Sequence, residues 1–240
     1  MAGDANYATV GLLVPFDGAN NATTTLDRSP SPKTLTFLGN AKLTTAQSKF
    51  GGASLDCDGT ASCRIQAASS ADLEPGSGDF TVECFVRPTA TPSVAGFIAF
   101  RPNASGYPNW SLSFRPANKV EAYFSRNNPA TLPTVTTSVT ALSLSAWTHI
   151  ALVKQGTGIK LFIGGALDTS WTVADHPPTG LSTVTNIGSE GTYPLTGQID
   201  DFRVSKYARY TAAFTPPTRA HPLGLGEVSG VIRDNAGSLC

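Results

Sequence analysis

The chain has 240 residues, of which 23 are Gly and 17 Pro; 40% are hydrophobic and 9% aromatic, and 17 basic residues balance 17 acidic ones. Gly and Pro at this frequency exclude an all-helical chain, and the apolar fraction, sufficient for a packed core, excludes general disorder. Zero net charge without a basic cluster gives a phosphate backbone nothing to grip, and no apolar run approaches the roughly 20 residues of a membrane helix, so neither nucleic acid nor a membrane is an expected partner.

Residues 1–6 lack a basic stretch followed by a hydrophobic one, which predicts a short N-terminal arm and folding in a cytoplasm. From there period-two alternation and β-branched or aromatic enrichment predict twelve strands, at 10–17, 33–38, 53–57, 63–66, 80–88, 96–101, 110–115, 119–125, 147–154, 159–163, 184–188 and 198–204. Twelve short strands separated by turn residues predict an all-β antiparallel sandwich or barrel. Hairpins are expected at Gln155-Gly156-Thr157-Gly158 and at Pro116-Ala117-Asn118. The Thr-, Pro- and Ser-rich stretch 127–145 reads as a long loop or an edge strand, and 206–211 as a helical turn. Beyond Pro216-Pro217-Thr218 the composition becomes linker-like, and 228–240 begins a new alternating segment. The predicted organisation is therefore an arm at 1–6, one domain at 7–218, and a linker with a β tail at 219–240.

Of the four cysteines, Cys57 and Cys63 bracket a turn-forming stretch and in a hairpin would face each other. Their spacing, with no nearby His, is poor for zinc, which leaves buried thiols or one disulfide. Reduced thiols are expected in a cytoplasm, with the disulfide open to form once the protein is outside it.

Three segments in order resemble the laminin-G-like, concanavalin-A-like lectin/glucanase jelly roll: Leu13-Val14-Pro15-Phe16-Asp17-Gly18 with Phe50-Gly51-Gly52-Ala53-Ser54-Leu55; then Gly78-Asp79-Phe80-Thr81-Val82-Glu83-Cys84-Phe85-Val86-Arg87-Pro88; and Trp147-Thr148-His149-Ile150-Ala151-Leu152-Val153 through Leu161-Phe162-Ile163-Gly164-Gly165 to Gly197-Gln198-Ile199-Asp200-Asp201-Phe202-Arg203-Val204. The closing run 208–218 is similar to the ending of this domain in bacteriophage virion proteins, and 228–240 to the first strand of the immunoglobulin-like repeats that follow it there. The resemblance implies a virion surface protein, a decoration, fibre or tail-associated subunit, whose partners are other virion proteins, further copies of itself, or a cell-surface glycan.

The resemblance also implies a calcium ion at the sandwich edge, held here by Asp17, Asp27 and Asp200 or Asp201. Against it, Asp17-Gly18 is an ordinary turn, Asp27 suits an Asx turn before Ser29-Pro30, Asp200 suits backbone amides, and Arg28 departs from the family's loop. Sugar binding on this fold uses exposed aromatics beside hydrogen-bonding side chains. The candidates are Tyr107 and Trp110 with Asn103 and Asn109, Tyr123 with Arg126 and Asn127, and Trp171 and Tyr193; the competing reading for those in strands is packing. Trp147 reads as structural.

Catalysis finds little support, so a non-enzymatic role is expected. No strand carries alternating carboxylates for glycoside hydrolysis, Asp200 and Asp201 alternate across a strand, and Glu83 and Glu121 read as isolated and outward-facing. His149, His176 and His221 are scattered in sequence, without triad or zinc spacing. Asn21, Asn103 and Asn109 begin glycosylation patterns that read as chance matches. The alternative functions are a calcium-dependent carbohydrate-binding module for receptor recognition and, behind it, a glycoside hydrolase.

Overall fold

A computed structural model describes residues 3–102, 108–124, 134–173 and 176–224. The described chain forms fifteen strands: β1 Val10–Val14, β2 Leu35–Leu38, β3 Lys42–Thr44, β4 Ser54–Asp58, β5 Arg64–Ala67, β6 Phe80–Pro88, β7 Gly96–Pro102, β8 Pro108–Arg115, β9 Lys119–Phe124, β10 Thr134–Ala141, β11 Thr148–Gln155, β12 Gly158–Ile163, β13 Ala166–Thr172, β14 Thr185–Ile187 and β15 Thr196–Ser205. They make two antiparallel sheets. One has eight strands in the order β13-β12-β11-β6-β15-β4-β3, with β1 also on β15; the other has seven, β10-β9-β8-β7-β14-β5-β2. This is the jelly-roll sandwich that the alternation and the resemblance predict.

Alternation fixes which face of each strand is buried. Trp110, Leu112 and Phe114 of β8 and Val120, Ala122 and Phe124 of β9 meet Val82, Cys84 and Val86 of β6, Ile150 and Leu152 of β11, and Phe202 and Val204 of β15 in one core between the sheets. Both expected hairpins form. Gln155 pairs with Gly158, and Arg115 pairs with Lys119 across a turn in which Ala117 and Asn118 hold φ near +59°.

The sequence reading differs from the structure in several places. Strands β3 and β13 were not expected; of the two readings for 127–145, the edge strand holds at 134–141, paired with β9. Residues 206–211 form no helix; they lie over the outer face of the eight-stranded sheet, where the Thr81 hydroxyl donates to Tyr207 O and accepts from the Arg209 amide. The segment between Cys57 and Cys63 is not a hairpin but a link from β4 in one sheet to β5 in the other. The ordered body passes the expected domain limits at both ends: Asp4 pairs with Arg203 and Arg209, and His221 is buried. The expected β tail at 228–240, with Cys240, lies outside the described residues.

Candidate functional site

The two sheets present different outer faces. That of the eight-stranded sheet is covered by the chain itself: Tyr210 stacks on Phe214 with centroids 3.5 Å apart, and both pack against Phe162 and His149. At the centre lies Glu83, fully buried rather than outward to solvent. Its Oε1 accepts from Arg203 Nε and Nη2 at 2.8 and 2.7 Å; its Oε2 accepts from the Tyr210 hydroxyl at 2.7 Å and lies 3.2 Å from His149 Nε2. Burial opposes ionisation of Glu83, but the Arg203 guanidinium and the hydrogen bond with His149 outweigh it and hold the carboxyl well below its usual range. His221 sits 3.8 Å from Glu83 Oε2 and 3.6 Å from Asp201 Oδ2, and burial drives its imidazole to the neutral form.

The fold thus gathers two histidines that read as scattered. Glu83, His149 and His221 are the one group of three or more acidic, His or Cys side chains whose ligand atoms converge within 4.8 Å among the described residues. The arrangement does not suit a metal ion. Both Glu83 oxygens are already engaged, and the guanidinium of Arg203 beside them disfavours a further positive charge. Its negative partners are already present, since Arg203 bridges Glu83 and Asp4, and Arg209 joins Asp4 at 2.8 Å. The cluster is a buried charge-balanced clasp that fastens both ends of the domain onto β6 and β15.

Asp17, Asp27 and Asp200, the acids expected to hold calcium, do not gather into one group of converging ligand atoms among the described residues, although Asp17 lies near Asp200. Asp27 is buried with its oxygens filled: Oδ1 accepts the Leu13 and Ser29 amides at 3.0 and 2.8 Å, and Oδ2 the Ser29 hydroxyl and Lys33 amide at 2.9 and 2.7 Å. This is the Asx-type reading. Asp200 Oδ2 accepts the Lys49 and Phe50 amides at 2.6 and 3.1 Å, and its Oδ1 accepts the Asp201 amide at 2.8 Å. Burial pushes the Asp200 carboxyl up to about 7, with the nearby Asp17 charge adding to the rise. Only Asp17 is exposed. Two of three acids spent on N–H donors do not fit a cation that requires six to eight oxygens. Asp201 turns away from Asp200 through a bulge in β15, at φ +50°, and joins the Glu83 side.

The outer face of the seven-stranded sheet has another character. Cross-strand register points Thr36, Arg64, Gln66, Asn186, Phe97, Phe100, Ser111, Ser113, Glu121 and Tyr123 away from the core; of these Thr36 is exposed, Arg64, Gln66, Phe97, Glu121 and Tyr123 are half-buried, and Asn186, Phe100, Ser111 and Ser113 are buried beneath their neighbours. Gln66 Nε2 donates to Asn186 Oδ1 at 3.1 Å, and Phe97 packs edge-on to Phe100 with centroids 5.3 Å apart. Glu121, the one acid of this row, lies 3.4 Å from Arg115 Nε. At one end the Tyr193 side chain is 41% exposed on a turn whose Thr192 and Tyr193 amides donate to the Glu190 carboxylate. Amides, hydroxyls and aromatic faces side by side suit a polyhydroxylated ligand. No facing pair of carboxylates stands among these residues, and glycoside hydrolysis needs one.

The aromatic candidates separate accordingly. Tyr193 and the half-buried Tyr123 lie on or beside this face. Trp110 does not: it is fully buried, its indole N–H donates to Leu73 O at 2.9 Å, and no face is free for a sugar. Its partner Asn109 is buried too and donates to Pro178 O. Trp171, in the edge strand β13, packs half-buried against the main core. Tyr107, Asn103, Arg126 and Asn127 lie outside the described residues. Gln66, Asn186 and Phe97 were missed by the sequence reading, although each occupies the outward position of a strand it identified.

Residues 58–213 match the family model described as the concanavalin A-like lectin/glucanases superfamily, Laminin_G_3. No curated protein sequence matches the chain. Among solved structures it is similar to the receptor-binding domain of botulinum neurotoxin C/D mosaic serotype (13% identity, TM-score 0.65, 85% of this chain and 49% of that one). It is also similar to the binding domain of Paraclostridial Mosquitocidal Protein 1 (11%, 0.63, 85% and 50%). A third is the botulinum neurotoxin serotype D ligand-binding domain in complex with N-acetylneuraminic acid (13%, 0.65, 86% and 49%). The chain thus spans about half the length of these structures, and at such identities they share its fold. With the family model covering well over half of its residues, the chain belongs to the concanavalin A-like lectin/glucanase superfamily.

Proposed function

We propose that the protein is a non-enzymatic glycan-contacting module carried on a bacteriophage particle, and that the outer face of the seven-stranded sheet is its contact surface. The observation that carries this reading is the set of accessible amide, hydroxyl and aromatic side chains on that face, Thr36, Gln66, Phe97 and Tyr123 with Tyr193 at its end, and a single acid beside an arginine. The superfamily includes lectins, and one similar fold holds N-acetylneuraminic acid. The virion setting, with other virion proteins or further copies as neighbours, rests on the resemblance of 208–218 to the phage form of the domain. The clasp around Glu83 occupies the outer face of the eight-stranded sheet, which leaves the seven-stranded sheet as the candidate contact face.

A glycan array probed with the purified protein tests the reading. Gln66→Ala and Tyr193→Ala are each expected to weaken the best-bound glycan by roughly tenfold, the loss of one good hydrogen bond or one ring face. Chelation is expected to leave binding unchanged, because the Asp27 and Asp200 carboxylates are spent on backbone amides. Loss of binding with a chelator would instead favour the calcium-dependent module, and shortening of a bound glycan would favour an enzyme. The particle assignment is checked separately by mass spectrometry of purified virions, where the chain is expected as a stoichiometric component.

A further inference from the structure

Cys57 ends the inward row of β4 and Cys63 stands immediately before β5, so the short link between them crosses from the eight-stranded to the seven-stranded sheet. Both side chains are buried in the core, and their thiols hydrogen bond to each other. The Cys63 thiol also reaches Asp56 O at 3.6 Å. Gly188, at φ +99°, makes room for the pair: a Cβ there would fall 2.8 Å from Cys57 Sγ and 3.3 Å from Cys63 O. Cys84, the third described cysteine, is buried in β6 and has no such partner among the described residues.

We propose that Cys57 and Cys63 form a dithiol site that a small-molecule or protein disulfide converts into an intramolecular cross-link between the two sheets. The two sulfurs differ in readiness. The hydrogen bond from Cys57 and one from the Asp58 amide favour the thiolate of Cys63, whereas the bond to Cys63 and burial hold the Cys57 proton in place. Cys63 is therefore the attacking sulfur. The exposed residues Thr60, Ala61 and Ser62 beside it mark the link as the route by which a reagent reaches it. Its thiolate attacks one sulfur of the incoming disulfide, breaks that S–S bond and expels one thiolate, leaving a mixed disulfide on Cys63. Cys57 then gives up its proton and attacks the Cys63 sulfur, expelling the second thiolate. The protein loses two protons and two electrons, and the donor disulfide takes them up to become two thiols.

The test is oxidation of the whole protein with oxidised glutathione, followed by alkylation and peptide mapping without reductant. The expected product is two hydrogens lighter and carries a Cys57–Cys63 linkage, with Cys84 fully alkylated after unfolding. Closing so short a loop raises the thermal midpoint by roughly 5 °C, and dithiothreitol reverses the rise. Cys63→Ser is expected to abolish the linkage, and Cys57→Ser to stop the reaction at a glutathione adduct on Cys63. The wild-type map decides the matter even where a variant folds poorly. Free Cys57 and Cys63 after oxidation, a lasting adduct on the wild type, or a linkage to Cys84 or Cys240 would each overturn the proposal.

Discussion

Replacing Glu83 with alanine is expected to destabilise the protein by about 3–5 kcal/mol and to lower the thermal midpoint by roughly 10 °C, the scale of breaking a buried ion pair from one side. The carboxylate neutralises Arg203 at 2.7 Å and holds the Tyr210 hydroxyl and His149. Without it a guanidinium that is 5% exposed keeps only the more distant Asp4 at 3.2 Å. The damage spreads beyond one contact, because Tyr210 and Phe214 cover the outer face of β11 and β12 together. The 208–221 segment should therefore gain amide exchange in Glu83→Ala even below the melting transition. Glu121→Ala, which removes a partly exposed pair at 3.4 Å, should cost no more than about 0.5–1 kcal/mol. Denaturant melts of the two variants distinguish a clasp from an incidental contact, and equal, small losses would show that Glu83 fastens nothing.

Stability is also expected to fall as pH rises from about 4 toward 8, by a few kcal/mol, which is opposite to the usual behaviour of paired acids. Burial pushes Asp201 up to about 8 and Asp200 up to about 7. Both carry a proton in the folded protein through a range in which the unfolded chain, with carboxyls near 4, has lost it. The folded state then binds more protons, so unfolding becomes easier with each unit of pH until the folded values are passed. Glu83 acts in the other direction. Its carboxyl lies well below the normal range, so its contribution is complete above about 4.3 and is lost as pH falls further. The groups facing Asp201 are Asp200, Arg203, Glu83 and His221; burial holds His221 neutral, and because the unfolded imidazole takes a proton below about 6.5, it offsets part of the carboxyl effect of the two aspartates there without reversing it. The midpoint should therefore peak at roughly pH 4–5. Asp201→Asn, which tolerates the positive φ, should flatten the decline. A midpoint that climbs from pH 5 to 8, or an unchanged slope in that variant, would contradict the assignment.

How far the sequence was legible follows from which contacts are local. Strand β6 was readable to the residue because Phe80, Val82, Cys84 and Val86 alternate without interruption. Strands β3 and β13 escaped for opposite reasons: Lys42–Thr44 is too short to show a period, and Ala166–Thr172 is an edge strand exposed at most positions. Trp110 reads from the sequence as a sugar platform with packing as the competing reading, and packing holds, because it alternates in phase with the buried Leu112 and Phe114 of the same strand. Glu83 occupies an outward position of β6, as alternation required. What covers it comes from Arg203 and Tyr210, more than a hundred residues away, and a two-residue period carries no information about that. The same limit applies to His149 and His221, which no spacing rule connects. On the open sheet the polar row was implicit in the strands, yet Asn186 and Gln66 become neighbours only when β14 pairs with β5.

Where a glycan touches the protein decides its function. Titrating the best array ligand into isotope-labelled protein and following amide and side-chain NMR shifts locates the contact directly. The prediction is a continuous set of perturbed residues on the outer face of the seven-stranded sheet, including the side-chain amides of Gln66 and Asn186 and the backbone near Ser111, Tyr123 and Tyr193, unchanged by chelator and without new sugar signals from cleavage. Perturbations confined to Asp17 and the Lys49–Gly52 loop and abolished by chelator, or no perturbation with any array ligand, would contradict it.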